Sequence, residues 1–143
     1  MGDAPEDAFA LINSVSRGVR TAVERRLLER HGVYAGQHSI LACLWEHDGL
    51  TPGQLARRLA LETPTVTRTL QRMETNELVR RGGDEFDRRL VRVWLTPHGR
   101  ALKRVVPRTV AQVRAEVFAD LSVRDQTVLA QLLSRLRVSA HGD

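Results

Sequence analysis

Small hydroxyl side chains alternate with larger hydrogen-bond donors in one short segment near the middle of the chain. Its polar members are Thr63, Thr65, Thr67, Arg68, Gln71 and Arg72. Threonine hydroxyls bind phosphate oxygens or base edges, and an arginine guanidinium can form two parallel hydrogen bonds with the edge of a guanine. These residue types could therefore recognise duplex DNA. The alternative is a solvated helix face with ordinary arginines, since charged residues are mostly exposed in proteins.

Arginines are concentrated a second time, only a few residues further along the chain. They are Arg80, Arg81, Arg88, Arg89 and Arg92. Arginines on a projecting element suit a narrow minor groove, where the negative potential of DNA is enhanced. Three carboxylates, Asp84, Glu85 and Asp87, lie in the same segment and would be repelled by a polyanion. This segment is therefore either a charge-balanced surface loop or an arginine wing in which Asp87 orients one arginine through an ion pair.

Three Thr-Pro pairs predict the elements that carry these side chains. The pairs are Thr51-Pro52, Thr63-Pro64 and Thr96-Pro97. Each threonine is expected to cap a helix with its hydroxyl, and each proline to occupy the first helical position, where its missing N–H costs nothing. Helices are therefore expected over residues 52–60 and 64–77. Because so short a turn separates them, they predict a tight helix-turn-helix.

The arginine-rich segment has the pattern of a β-hairpin. Short strands are expected over residues 78–81 and 89–95, the second rich in β-branched and aromatic residues. Gly82-Gly83 and the polar run at residues 84–88 would connect them. The chain order of two helices, a short strand, a tight helix pair and a hairpin is typical of a winged helix-turn-helix lobe. In such a lobe the second helix of the pair enters the major groove.

Amphipathic helices are expected on both sides of this lobe. Apolar residues at steps of three and four predict one helix over residues 7–30 and a more buried one over 37–46. A helix over residues 97–119 should be kinked at Pro107, and a last helix should begin at a Ser122 cap. The apolar stripes of the first and last helices lie at opposite ends of the chain, and a slim core cannot cover both. A second copy of the chain would bury them; the alternative is that they pack on each other within one chain.

Length and composition indicate one folded unit without a catalytic centre. The chain has 143 residues, of which 42% are hydrophobic, and its net charge of +5 suits a polyanionic partner. The single cysteine, Cys43, excludes an intramolecular disulfide and a cysteine-based zinc site. The histidines form no His-x-x-x-His pair, and the chain has neither a glycine-rich phosphate loop nor a nucleophile elbow. We therefore expect neither an enzyme nor a bound metal or cofactor.

The N-terminal residues and the hydropathy pattern bear on where the protein is found. The acidic N-terminus lacks the basic region and apolar core of a signal peptide. No stretch approaches the roughly 18 consecutive apolar residues that span a bilayer. We therefore expect a cytoplasmic protein without a membrane partner.

Four segments of the chain together resemble the multiple-antibiotic-resistance-regulator (MarR) family. They are GLTPGQLA at residues 49–56, TPTVTR at 63–68, DEFDRR at 84–89 and LTPHG at 95–99. The resemblance is strong over residues 37–102. It implies a mainly α-helical winged helix-turn-helix fold with a small β-hairpin wing. It also implies an obligate homodimer, a pseudo-palindromic operator in double-stranded DNA, and repression that a small molecule or an oxidant relieves.

The helix pattern and the resemblance together divide the folded unit into three segments. We expect an N-terminal dimerisation helix over residues 1–36, the DNA-binding lobe over 37–96 and C-terminal dimerisation helices over 97–143. The DNA contacts that we predict are Thr63, Thr65, Thr67, Arg68, Gln71, Arg72, Arg81, Asp87, Arg88 and Arg89.

The resemblance also implies an effector pocket between the dimer helices and the DNA-binding lobe, suited to an aromatic or phenolic anion. The residues that could line it are Arg17, Tyr34, His38 and Trp45. Each also has an ordinary structural interpretation. Arg17 could be a solvated cation, Tyr34 and His38 could pack around a turn, and Trp45 could be a core residue.

Two other functions stay open on the sequence alone. A winged-helix module for protein interaction would not need the basic recognition face, so the salt dependence of DNA binding separates it from a regulator. A redox-responsive repressor would use Cys43. That residue lies in an apolar run, where a buried, inert thiol is expected rather than a reactive one.

Overall fold

The tight helix pair and the hairpin form a winged lobe, with further helices before and after it. The computed structural model describes residues 7–138, so the outer ends of the predicted segments 1–36 and 97–143 lie outside the described residues. The helices are α1 (Ala8–His31), α2 (Gln37–Glu46), α3 (Pro52–Leu59), α4 (Thr63–Thr75), α5 (Pro97–Ala101), α6 (Val106–Val117) and α7 (Val123–Ser134). The strands are β1 (Val79–Gly83) and β2 (Val91–Leu95), and a 3₁₀ turn at Leu102–Arg104 joins α5 to α6. The predicted fold class, mainly helical with a small antiparallel hairpin, is confirmed.

Side-chain caps begin several of these helices as predicted. The Thr51 hydroxyl accepts a hydrogen bond from the Gln54 amide at 3.1 Å, and the Gln54 side chain accepts one from the Thr51 amide at 2.9 Å. Ser122 and Asp125 form the same reciprocal cap at the start of α7. Such caps satisfy amide groups that a helix leaves without partners in its first turn. The start of the helix-turn-helix is therefore encoded within a few residues of sequence.

The predicted cap at Thr63 is wrong. The first hydrogen bond of α4 runs from the Val66 amide to the Glu62 carbonyl at 3.2 Å, so Glu62 occupies the cap position and Thr63 is already helical. The Glu62 side chain makes no capping hydrogen bond. Pro64 is tolerated there because amides in the first turn need no partner within the helix. The Thr63 hydroxyl is consequently exposed at the helix start rather than used in capping.

The hairpin turn lies later in the chain than predicted. Gly82 pairs with Arg92 and Gly83 with Val91, so both glycines belong to β1. The connection is a loop closed by a hydrogen bond from the Asp84 amide to the Leu90 carbonyl at 2.9 Å. Residues 89 and 90 belong to this loop, so the second strand begins at Val91 and is two residues shorter than predicted. The predicted short strand before the helix pair is reduced to a single bridge between Leu50 and Val93.

The predicted kinked helix over residues 97–119 is also wrong. Residues 97–101 form the short helix α5, the 3₁₀ turn follows, and α6 begins at Val106. Pro107 lies in the first turn of α6, where its missing N–H needs no partner and its φ suits a helix. This proline therefore starts a new helix instead of bending an old one.

One apolar core joins the winged lobe to the C-terminal end of α1. Its most deeply buried members are Leu27, Ile40, Leu41, Leu44, Leu55, Val66, Leu70, Met73, Leu78 and Val93. Leu102 and Val106 extend this core past the hairpin, whereas α7 buries none of its residues. None of the helices within residues 7–138 is both long and apolar enough to cross a membrane.

Helix α5 packs closely against the start of the hairpin and against α2 through backbone contacts at Gly99. A Cβ atom at this position would lie only 2.1 Å from the Leu78 carbonyl oxygen. The Thr96 hydroxyl accepts a hydrogen bond from the Gly99 amide at 3.0 Å, and the Gly99 carbonyl accepts one from Trp45 Nε1 at 2.9 Å. Only glycine permits this approach, so Gly99 holds α2, β1 and α5 together.

Candidate nucleic-acid interface

Helix α4 has one buried face and one exposed face that bears donors. Val66, Leu70 and Met73 are completely buried, which turns Arg68, Gln71 and Arg72 to the surface. Neither of these arginines forms an ion pair with any residue in the described range 7–138. Of the three predicted threonines, the first is exposed and Thr65 and Thr67 are half-buried. The residues predicted to contact DNA therefore share one helix, and two of them are cations without ion-pair partners among the described residues.

Arg81 is held by an ion pair that the sequence analysis did not predict. Its Nε lies 2.5 Å from Glu74 Oε1 and its Nη2 lies 3.2 Å from Oε2, a two-point contact between β1 and the end of α4. Hydrogen bonding with this guanidinium lowers the pKa of the Glu74 carboxyl, and the pKa of Arg81 is raised in turn. The side chains are 33% and 31% exposed. The pair fastens the hairpin to the end of α4, so the guanidinium of Arg81 is already engaged within the chain.

Asp84 organises the loop at the tip of the hairpin. Its Oδ1 accepts hydrogen bonds from the amides of Phe86 at 2.7 Å and Asp87 at 3.0 Å. Its Oδ2 accepts one from Arg92 Nε at 2.5 Å, and Arg92 Nη1 also donates to the Gly49 carbonyl at 2.8 Å. The hydrogen bond from Arg92, followed by the two backbone amides, lowers the pKa of Asp84. The negative charge of this carboxylate is therefore compensated by the Arg92 guanidinium and by the two backbone amides.

Asp87 pairs with Arg89, as one of the two sequence interpretations anticipated. Asp87 Oδ1 accepts hydrogen bonds from the Arg89 amide at 3.0 Å and from its Nε at 3.2 Å. The Arg89 side chain is nevertheless 91% exposed. Arg88 is exposed as well and forms no ion pair within the described residues. The loop thus presents two arginines outward while two of its three carboxylates are occupied.

The predicted pocket residues do not form one cluster within the chain. His38 and Trp45 face each other with ring centroids 6.4 Å apart, and burial lowers the pKa of His38. The Nε1 atom of Trp45 already donates a hydrogen bond to the Gly99 carbonyl. Arg17 lies on the exposed part of α1, about 21 Å along the helix from its end at the rise of an α-helix. Tyr34 lies elsewhere, beside the recognition helix.

Tyr34 lines a cleft of about 560 Å³ between the start of α2 and the outer face of α4. The other lining residues are Gln37, Arg68, Gln71, Arg72, Thr75 and Asn76. Gln37 is only 1% exposed and accepts a hydrogen bond from the Tyr34 amide at 3.0 Å. Its Nε2 atom is buried without a hydrogen-bond partner among the described residues. The sequence analysis missed this residue; a glutamine at a helix start that must face inward is the signal that could have found it.

Cys43 lies against the core and is half-buried. Burial raises the pKa of its thiol, with Arg58 acting in the opposite direction and Glu46 in the same one. A thiol with a raised pKa is a weak nucleophile near neutral pH, which disfavours redox sensing at this position. Among residues 7–138 no group of three or more His, Cys, Asp or Glu side chains could hold a metal ion.

Comparison with known proteins agrees with this geometry. The MarR family model matches residues 33–91. The chain is 31% identical over 123 residues to the uncharacterized HTH-type transcriptional regulator SAV2265 of Staphylococcus aureus (strain Mu50 / ATCC 700699), covering 82% of this chain and 84% of that protein. It is 40% identical over 79 residues to the HTH-type transcriptional regulator TtmR of Methylorubrum extorquens (strain PA1), a match that spans 55% of this chain but only 40% of TtmR.

Solved structures match the fold over nearly the whole chain. The reduced form of MarR from E. coli superposes with a TM-score of 0.78 at 25% identity, covering 90% of this chain and 95% of MarR. A MarR mutant complexed with operator DNA gives a TM-score of 0.77 at 25% identity, covering 88% and 90%. The sequence match to SAV2265, the family model and these superpositions lead to one conclusion: the chain belongs to the MarR family of winged helix-turn-helix transcriptional regulators.

Proposed function

We propose that the chain represses transcription by binding a pseudo-palindromic duplex operator as a homodimer, and that a small aromatic anion releases it. The observation that carries the proposal is the unpaired basic face of α4 beside an arginine-bearing wing. Arg68 and Arg72 have no ion-pair partner among the described residues, and the Glu74–Arg81 pair holds the wing next to them. Guanidinium groups grouped on one surface can contact phosphates and base edges of the same duplex.

The two basic elements would contact different grooves. Helix α4 would lie in the major groove, with Arg68 forming hydrogen bonds to a base edge and the exposed Thr63 contacting phosphate at the helix start. The wing would bring Arg88 and Arg89 to the adjacent minor groove. Phosphate contacts determine register and affinity, whereas the base contacts carry sequence information. The remaining predicted contacts, the half-buried threonines and Arg81 among them, would support this geometry.

A second copy of the chain would cover the exposed apolar surface of the terminal helices. Apolar residues of α1, α6 and α7 line an open groove of about 900 Å³, and its members include Leu11, Ile12, Val15, Val117, Leu132 and Leu133. Within the chain, α1 contacts α6 along a polar seam in which Arg26 binds Glu116 at 2.7 and 3.0 Å. That seam leaves most of the first half of α1 exposed to solvent and buries no residue of α7. Exposed apolar surface of this extent is typical of an obligate interface.

The cleft beside Tyr34 is the place that we propose for the effector. An anion there would meet the Arg68 and Arg72 guanidinium groups, and after a local rearrangement it could reach Gln37 Nε2, which is buried without a partner among the described residues. An unsatisfied buried donor costs free energy, so a ligand acceptor that reaches it is favoured. Because these arginines also belong to the proposed DNA surface, the ligand and the operator would compete for them. Of the predicted pocket residues, Tyr34 alone lines this cleft.

Fluorescence anisotropy tests the DNA-binding proposal directly. The protein would be titrated with the intergenic DNA upstream of its own gene and with a scrambled duplex, each at two salt concentrations. Tight binding that prefers the native duplex and falls steeply with salt is expected from several phosphate contacts. Equal, weak and salt-insensitive binding to both duplexes would instead support a winged-helix module for protein interaction.

A further inference from the structure

Phe86 occupies an unusual place at the tip of the wing. Its side chain is 94% exposed, the highest value for any large hydrophobic residue in the described part of the chain. The ring contributes nothing to the core, yet its backbone is held firmly. Its amide donates to the Asp84 carboxylate at 2.7 Å, and Arg92 anchors that carboxylate to the base of the wing. The fold thus presents an apolar ring outward on an ordered support.

The charges around Phe86 indicate what kind of surface it meets. Arg88 and Arg89 are exposed within three residues of it, whereas two of the three loop carboxylates, Asp84 and Asp87, already accept hydrogen bonds and Glu85 is exposed. A protein pocket for an aromatic ring would not require flanking cations. A minor groove does, since its floor and sugar walls are apolar while phosphates line both edges.

We propose that Phe86 inserts into the minor groove beside the operator contact of α4 and wedges against a base step. Apolar side chains in this position partly unstack the step and bend the duplex. Pyrimidine–purine steps unstack most easily, so Phe86 selects a flexible step that no hydrogen bond reads. The inference rests on the proposed DNA-binding function and adds to it a residue that sets sequence preference through DNA deformability.

Salt dependence separates an apolar wedge from a phosphate contact. The Phe86→Ala variant should bind the native duplex about tenfold more weakly, within the range found when an aromatic base contact is removed. Its slope of log affinity against log salt should equal that of the wild type, because no counterion is released at a ring. The matched variant Arg88→Ala should lose affinity together with about one unit of slope. Phe86→Leu should retain part of the affinity.

The unstacked step can be observed spectroscopically. With 2-aminopurine placed at the step under the wing, located by a hydroxyl-radical footprint, wild-type binding should increase fluorescence and Phe86→Ala should not. Thermal unfolding should be the same for both proteins because the ring is exposed. If the wild type binds the duplex and Phe86→Ala shows the same affinity and the same fluorescence increase, the wedge is overturned. The exposed ring would then be available to a protein partner. A wild-type chain that binds no duplex overturns the proposed function and the wedge together.

Discussion

The contact between Gly99 and Leu78 predicts a large loss of stability from a single methyl group. In Gly99→Ala the new Cβ would lie 2.1 Å from the Leu78 carbonyl oxygen and 3.3 Å from Leu95 Cδ2. Ordinary contact begins near 3.4 Å, so the backbone of α5 or β1 has to move by more than an ångström. The same carbonyl accepts a hydrogen bond from the Thr96 amide at 3.0 Å, which such a movement would break.

These effects can be combined into an expected magnitude. Overpacking of a core costs about 1–3 kcal/mol, a broken buried hydrogen bond about 1–3 kcal/mol, and the gain in helix propensity returns about 1 kcal/mol. Gly99→Ala should therefore lower the free energy of unfolding by about 3 kcal/mol. The matched control is Gly18→Ala in α1, where a Cβ meets nothing within 4 Å. That variant should gain about 0.5–1 kcal/mol from helix propensity alone.

Urea unfolding followed by circular dichroism measures both variants. All proteins must be compared at one protomer concentration, because the stability of a dimer depends on it. A shift of the midpoint to lower urea for Gly99→Ala and to higher urea for Gly18→Ala is expected, with unchanged slopes. If the two alanine variants shifted the midpoint in the same direction, the reasoning from the close contact would be refuted.

Four further predictions concern binding, the wing, the dimer and the thiol. Arg68→Ala should weaken operator binding by about 1–3 kcal/mol and should weaken binding to random DNA less, as measured by fluorescence anisotropy. An equal loss of affinity for both duplexes would show that Arg68 does not read a base. Glu74→Gln should cost at most about 1 kcal/mol of stability at pH 7, as for partly exposed ion pairs. Because the folded-state pKa of Glu74 is lowered, this cost should shrink in urea titrations as the pH falls through that value, and a pH-independent cost would contradict it. Leu132→Glu should dissociate the proposed dimer in analytical ultracentrifugation, whereas the control Val123→Glu, at a position exposed outside the groove, should not. Peroxide should have the same small effect on operator binding by the wild type and by Cys43→Ser, since burial raises the pKa of the thiol. A loss of binding in the wild type alone would instead support redox sensing by Cys43.

Local signals in the sequence were sufficient for most of the elements. The caps at Thr51 and Ser122 and the apolar spacing of α4 each depend on residues within about one helical turn of one another. Such interactions form in nearly the same way in any surrounding fold. This locality explains why the helix-turn-helix, the hairpin and the exposed basic face of α4 could be predicted from the sequence.

Tertiary structure decided how these elements meet. The strand pairing places the hairpin turn beyond the two glycines, where Asp84 binds Arg92, and Glu74 forms an ion pair with Arg81, which the sequence analysis had assigned to DNA. Each of these contacts joins residues on different elements, and its geometry depends on how the core packs between them. Sequence spacing carries no record of that packing. The sequence by itself therefore determined which residues lie on the exposed face of α4, whereas only the folded chain decided which of the nearby charges are paired.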